Sequence, residues 1–211
     1  MDDASHYRWL AACYARGALG RLGLDDDAAI AAGTEAGLRM HRFKRSAELP
    51  RVRAVIGTLR GLGIGSLVDV GSGRGAFLWP MLDAMPDVQV IAVDVLAHRV
   101  ADLAAVARGG VTRLAAARMD FGRAGLCDGA ADAVTILEVL EHLPDPAPAA
   151  AEAMRVARRA VIATVPSHED DNPEHLRVFD RAGLEALLRD AGARRVTIDQ
   201  VRGHLVAVAL R

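Results

Sequence analysis

From residue 66 onward, short apolar runs alternate with stretches whose apolar positions recur at helical spacing. The runs predict strands near 66–70, 89–94, 111–116, 132–137 and 159–165, and the intervening stretches predict helices near 75–84, 97–108, 147–157 and 180–191. Strands separated by helices in this way imply an α/β fold with parallel strands and right-handed crossovers. The tail changes rhythm. Arg195–Val201 and His204–Leu210 read as two apolar-alternating strands around a turn at Arg202-Gly203. Upstream of the sheet, residues 5–20 read as a helix with Leu10, Cys13 and Tyr14 on one face. Asp25-Asp26-Asp27 offers N-cap carboxylates for a second helix to about residue 40. Pro50 opens a third helix over 50–62, and Gly61 and Gly63 close it.

Composition narrows the class. With 211 residues the chain can bury one full core, so the organisation expected is a single α/β domain over 50–211 with a helical extension or cap over 1–49. The 52% hydrophobic content is inflated by alanine, and no apolar run reaches the ~20 residues of a membrane span. The acidic, polar N-terminus is unlike a secretory signal, and Cys13 and Cys127 lack metal or redox spacing, so a cytoplasmic protein is expected. A net charge of −1 creates no global field for nucleic acid. Charge is nevertheless uneven. Arg39, Arg42, Lys44, Arg45, Arg51, Arg53 and Arg60 face a single acid, Glu48, within 39–60, whereas residues 1–38 are acidic. The basic segment is either a solvated face paired with that acidic start or the border of a site for an anionic acceptor.

The most informative chemistry lies at residues 67–75, Leu-Val-Asp-Val-Gly-Ser-Gly-Arg-Gly. A strand ends there in a loop with glycine at every second position, which lets backbone N–H groups press against a ligand. Asp69 at the strand's end suits a cationic or amine-bearing ligand and repels a pyrophosphate. These residues resemble the first motif of the class I S-adenosylmethionine-dependent methyltransferases, and the resemblance extends over about 50–211. Ile91-Ala92-Val93-Asp94 supplies the second strand and its ribose-binding acid, and Met119-Asp120-Phe121 the acid–aromatic pair at the adenine. The resemblance implies a Rossmann-like sandwich whose sheet ends in an antiparallel last strand. It also implies a cofactor site made of Asp69, Gly71, Ser72, Gly73, Gly75, Asp94, Val95, Met119, Asp120, Phe121 and Glu138. Within that site Asp69, Gly71 and Gly73 would hold the methionine part, Asp94 the ribose and Asp120 the adenine. A competing class remains, because Gly71-Ser72-Gly73-Arg74-Gly75-Ala76 with Asp94 also satisfies the dinucleotide fingerprint of an NAD(P)-dependent reductase. That fold would favour an apolar residue at position 69. A non-catalytic nucleoside-binding subunit is a further alternative.

The catalytic candidates follow the fourth strand. If residues 138–142 begin a helical turn, Glu138, Glu141 and His142 project to one face. Together with His175 (preferred to His168) they could hold Mn²⁺ or Mg²⁺, and this Glu-x-x-Glu-His set resembles the small-RNA 3′-end ribose 2′-O-methyltransferases. The acidic loop of Glu169, Asp170 and Asp171 would repel an RNA backbone, however. The same stretch also resembles quinone-pathway O-methyltransferases, where Glu141-His142 can simply cap a short helix and His175 can orient the acceptor or satisfy the loop backbone; separately, His142 is a candidate lone general base. The activity implied is methyl transfer to oxygen or nitrogen of a small or anionic acceptor, with RNA as the alternative. Trp79 and Met81 read as core, with Trp79 near the sulfonium end. His6, His41, His98 and His204 carry no spacing signal, and Trp9 and Tyr14 either cover the acceptor pocket or form a homodimer face.

Overall fold

The structure, a computed structural model, describes residues 3–40, 47–168 and 172–211. The chain starts with α1 (Asp3–Leu19), α2 (Asp26–Glu35) and α3 (Pro50–Leu62). There follow β1 (Ser66–Val70), α4 (Leu78–Ala84), β2 (Gln89–Asp94), α5 (Ala97–Arg108), β3 (Leu114–Arg118) and β4 (Ala131–Leu137). The last elements are α6 (Ala147–Val156), β5 (Ala157–Pro166), α7 (Arg181–Asp190), β6 (Arg195–Val201) and β7 (His204–Leu210). Of the expected basic segment, Arg42, Lys44 and Arg45 lie outside the described residues, as do His41 and the acidic residues Glu169, Asp170 and Asp171.

Local signals account for most boundaries. The Asp25 carboxylate accepts the Ala28 N–H at 2.8 Å to cap α2. Pro50 sits in the first turn of α3, and Gly63 ends it in the left-handed region, its N–H returning to the Arg60 carbonyl. Three boundaries differ from the sequence expectation by three residues or more. Helix α2 stops at Glu35 because the chain turns through Gly37 rather than continuing to residue 40. Helix α4 starts at Leu78, since the glycine loop runs three residues further than the periodicity implied. Strand β3 begins at Leu114, because residues 109–113 form a turn closed by a Leu114 N–H to Val111 carbonyl bond of 3.0 Å.

The seven strands form one sheet of order β3-β2-β1-β4-β5-β7-β6. Strands β1 to β5 pair in parallel, and β7 runs antiparallel between β5 and β6. Strand order reverses between β1 and β4, and a crevice opens where connections leave in opposite directions. Side chains alternate between two cores. Leu67, Ala160 and Ile162 join Leu59, Leu78, Leu82 and Leu103 on one face, while Val68, Val161 and Ala163 join Met154, Leu184 and Leu188 on the other. No described helix is long and apolar enough to cross a membrane.

The N-terminal helices belong to the first of these cores. Tyr7, Leu10, Cys13 and Tyr14 are buried in it, Trp9 packs against it, and the Tyr14 hydroxyl donates to Asp102 on α5 at 3.2 Å. Helix α1 comes so close to α5 that a Cβ on Gly109 would lie 1.7 Å from the Cys13 carbonyl oxygen. Backbone cannot retreat as a flexible side chain can. Gly109→Ala is therefore expected to destabilise the protein by about 1–3 kcal/mol in urea denaturation; a variant of wild-type stability would mean that α1 does not press on α5.

Candidate active site

At the carboxyl end of β1 the chain turns through Gly71, at φ 68°, whose N–H donates to the Val93 carbonyl at 2.8 Å. A Cβ on Gly71 would come within 2.4 Å of Val139 Cγ2, so both the conformation and the space require glycine. The loop then passes the end of β2. The Asp94 carboxylate accepts the Gly73 N–H at 3.0 Å and the Leu96 N–H at 2.9 Å, tying the loop to the entry of α5. Behind the loop, Asp69 is buried and accepts hydroxyl bonds of 2.7 Å from both Ser72 and Thr135. Burial pushes its carboxyl up to about 6, and the nearby Asp94 charge adds to the rise. The two hydroxyl donors oppose it.

The ends of β2 and β3 lie side by side, with the Met119 N–H donating to the Asp94 carbonyl at 3.1 Å. The Asp120 carboxylate accepts the Gly122 N–H at 3.0 Å and so caps a single 3₁₀ turn over Phe121–Arg123. Phe121 is buried beneath it. Val95 and Leu96 are exposed, an apolar surface beside Asp94.

The glycine loop, with Asp69 and Val70 leading into it, borders a cavity of about 210 Å³. Arg51, Val52 and Val55 of α3 line it, with the glycine loop, Leu137, Glu138 and Thr164. Glu138, just past β4, has φ 56°, a conformation uncommon for a residue with a side chain. Its carboxylate is held from several directions. The Thr164 hydroxyl donates to Oε1 at 2.7 Å, His204 Nε2 lies 3.0 Å from Oε2, and Arg51 Nε lies 3.9 Å from the same oxygen. His204 Nδ1 faces the Arg202 carbonyl at 3.1 Å. Both ring nitrogens thus face oxygen atoms, which fixes the ring beside the carboxylate. Sequence reasoning missed His204 and Thr164. The antiparallel register Pro166↔His204 carries the histidine to the carboxyl edge of β5, and no spacing along the chain signals such a register.

The structure redistributes the proposed metal set. Glu141, His142 and His175 converge, with ligand atoms all within 4.8 Å of one another, but Glu138 is not in the group. The expected single helical face does not form, because the left-handed backbone at Glu138 and the extended φ of −130° at Val139 leave helical geometry only over Leu140–His142. Glu141 is fully buried, with His175 Nε2 4.0 Å from its Oε1. His142 Nδ1 lies 2.9 Å from the Glu174 carbonyl, and its ring meets that of His175 edge-on at 4.8 Å. Asn172 Nδ2 stands 3.0 Å from His175 Nε2. None of these three residues lines the 210 Å³ cavity. His168, the alternative histidine, lies against Gly203 instead.

Comparison with known proteins agrees with this geometry. Residues 68–164 match the family described as a methyltransferase domain. No curated protein matches the chain. Among solved structures, a SAM-dependent methyltransferase from Aquifex aeolicus is similar at 22% identity and a TM-score of 0.64, over 78% of this chain and 91% of that one. Magnesium protoporphyrin IX methyltransferase from Synechocystis PCC 6803, with S-adenosylhomocysteine bound, is similar at 18% identity and a TM-score of 0.61, over 76% and 81%. A SAM-dependent methyltransferase from Thermotoga maritima is similar at 17% identity and a TM-score of 0.61, over 79% and 90%. At such identities the structural likeness establishes the fold. Residues 68–164, across the glycine loop and β1 to β5, are thus a methyltransferase domain, and the fold is the Rossmann-like one of S-adenosylmethionine-dependent methyltransferases. The nicotinamide reading is set aside.

The buried acid gives a stability signature. Because the Asp69 carboxyl titrates near 6 in the fold and near 3.8 when unfolded, the folded protein holds a proton there that the unfolded chain releases. Its contribution therefore grows less favourable as pH rises from about 4 and levels off above about 6. Asp69→Asn should remove a loss on the order of 2–3 kcal/mol across that window, measured as the wild-type-minus-variant difference in urea denaturation. A difference independent of pH would contradict the burial argument.

Proposed function

We propose that this enzyme methylates an oxygen or nitrogen atom of a small, anionic acceptor held at the Arg51–Glu138 end of the 210 Å³ cavity, whose other end, formed by Asp69 and the glycine loop, takes the cofactor. The observation that carries the proposal is the convergence of Arg51 and Glu138 on that cavity, next to the loop expected to hold the cofactor. When bound, S-adenosylmethionine supplies a sulfonium-activated methyl group, so the protein's tasks are alignment, water exclusion and proton removal. The first can contribute roughly 7–11 kcal/mol of the barrier.

The residues fit that cofactor. Asp69 is a buried carboxylate suited to an ammonium, and Asp94 is an acid fixed by two backbone N–H groups, suited to a ribose diol. Asp120 at the end of β3, between Met119 and Phe121, suits the adenine amine and ring. The glycines at 71, 73 and 75, with Ser72, shape the wall between them, and Val95 offers apolar surface beside the ribose acid.

On the acceptor side, Arg51 pairs with an anionic group. Glu138, steadied by Thr164 and His204, takes the proton from the acceptor hydroxyl or amine as its lone pair turns towards the methyl group. Glu141 and His142 stand away from the cavity and fasten the segment around His175 instead. The Mn²⁺- or Mg²⁺-dependent RNA 2′-O reading requires Glu138, Glu141, His142 and His175 at one point. Only three of them converge, so no step is assigned to a metal.

Isothermal titration is expected to show S-adenosylhomocysteine binding to the wild type, weakened about 10–100-fold in Asp94→Ala, the equivalent of ~1.5–3 kcal/mol. Equal affinities would remove Asp94 from the cofactor site. With labelled S-adenosylmethionine, hydroxy- and aminobenzoates should accept methyl groups better than their neutral methyl esters, and Arg51→Ala should abolish that preference. A preference for the esters would refute the anionic-acceptor proposal.

A further inference from the structure

Helix α1 reaches the back of the glycine loop through a single tryptophan. Trp79, on α4, is buried, and its indole sits so near Gly75 that a Cβ there would come within 2.1 Å of the ring. The indole Nε1–H donates to the Arg74 carbonyl at 2.7 Å. One ring thus fixes the loop in two ways, by contact at Gly75 and by a hydrogen bond at Arg74. The loop ahead of it is the stretch whose Gly73 N–H meets Asp94.

Trp79 is itself held from outside the matched methyltransferase domain. His6 Nε2 lies 2.9 Å from the Trp79 carbonyl, 73 positions away in sequence. A carbonyl only accepts, so the proton of this bond is on Nε2. His6 is 3% exposed and packs its ring against Tyr7 and Trp9. Asp83 Oδ1 faces the other ring nitrogen at 3.7 Å, beyond hydrogen-bond distance. About two turns further along α1, Tyr14 bonds Asp102, and both line a void of about 20 Å³ together with Gly73, Arg74 and Trp79. The first helix, α5 and the rear of the loop therefore meet at one point.

We propose that His6 is a positioning residue for the cofactor. Through Trp79 it sets the Arg74–Gly75 turn, so that the N-terminal helix is a working part of the cofactor site and not a separable cap. The inference rests on the cofactor reading above. It accounts for a buried histidine, spent on a backbone carbonyl, on a helix that lies before the matched region. It also explains why the indole, rather than a smaller apolar ring, occupies a position where only its N–H can meet Arg74.

The test is titration of S-adenosylhomocysteine into wild type, His6→Ala, His6→Gln and Trp79→Phe, with melting temperatures measured alongside. A single neutral hydrogen bond is worth about fivefold in affinity, so His6→Ala and Trp79→Phe should each weaken binding by roughly that factor. Glutamine can place an amide N–H where His6 Nε2 stands, and His6→Gln should recover most of the loss even if its melting temperature stays low. If His6→Ala does not fold, His6→Leu takes its place, and wild-type affinity in that variant overturns the proposal. Wild-type affinity in both His6→Ala and Trp79→Phe would overturn the proposal, as would a loss that His6→Gln fails to recover. Absence of binding by the wild type would overturn the cofactor reading, and this inference with it.

Discussion

The site depends on a stretch of backbone confined between two side chains that leave no room for a Cβ. Val139, arriving from the end of β4, closes on Gly71, and Trp79, from α4, closes on Gly75. Between these stops the chain can only run past the end of β2, where the Asp94 carboxylate takes the Gly73 N–H. The loop's path is therefore set by elements on both sides of the point where strand order reverses. Its rigidity comes from that packing and from the bonds that the Gly71, Gly73 and Gly75 N–H groups make within the fold.

Charge is distributed about that loop in two unlike ways. Asp69 sits in the dry interior, sustained by two hydroxyl donors and still strained enough to hold its proton towards pH 6. A cofactor ammonium would relieve that strain, which couples binding to the cost of burying the acid. Glu138, by contrast, is partly open and flanked by an arginine and a histidine. Both carboxylates line the cavity, Glu138 from a backbone held at φ 56°. The neighbouring Glu141 lies only three positions on, yet is fully buried and does not line the cavity. With His142 and His175 it binds the segment after β5 to the 3₁₀ turn, where the Leu176 N–H also reaches the Glu141 carbonyl at 2.9 Å.

Much of this was legible in the sequence. Period-two and helical patterns are local, so the elements, the parallel order of β1 to β5 and the terminal hairpin could be read directly. The acids at 69, 94 and 120 could be read as well, because each follows an apolar run and strand ends gather at one edge of such a sheet. Tertiary geometry hid the rest. Treating 138–142 as one helical turn placed three side chains on a common face, but a single left-handed residue split them into separate clusters. His204 and His6 carried no spacing signal, since one depends on hairpin register and the other on a contact across 73 positions. The basic run around residue 50 was visible; of its described residues only Arg51 lines the cavity, and Arg53 turns to the Ala47 carbonyl.

A crystal structure of the protein with S-adenosylhomocysteine would test the central claim most directly. The account predicts the ligand amine at the buried end of β1 by Asp69, the ribose hydroxyls on Asp94 and the adenine between Val95 and Met119-Asp120. The sulfur should face the cavity walled by Arg51 and Glu138. A nucleoside bound elsewhere, or one whose sulfur faces away from Glu138, would contradict it.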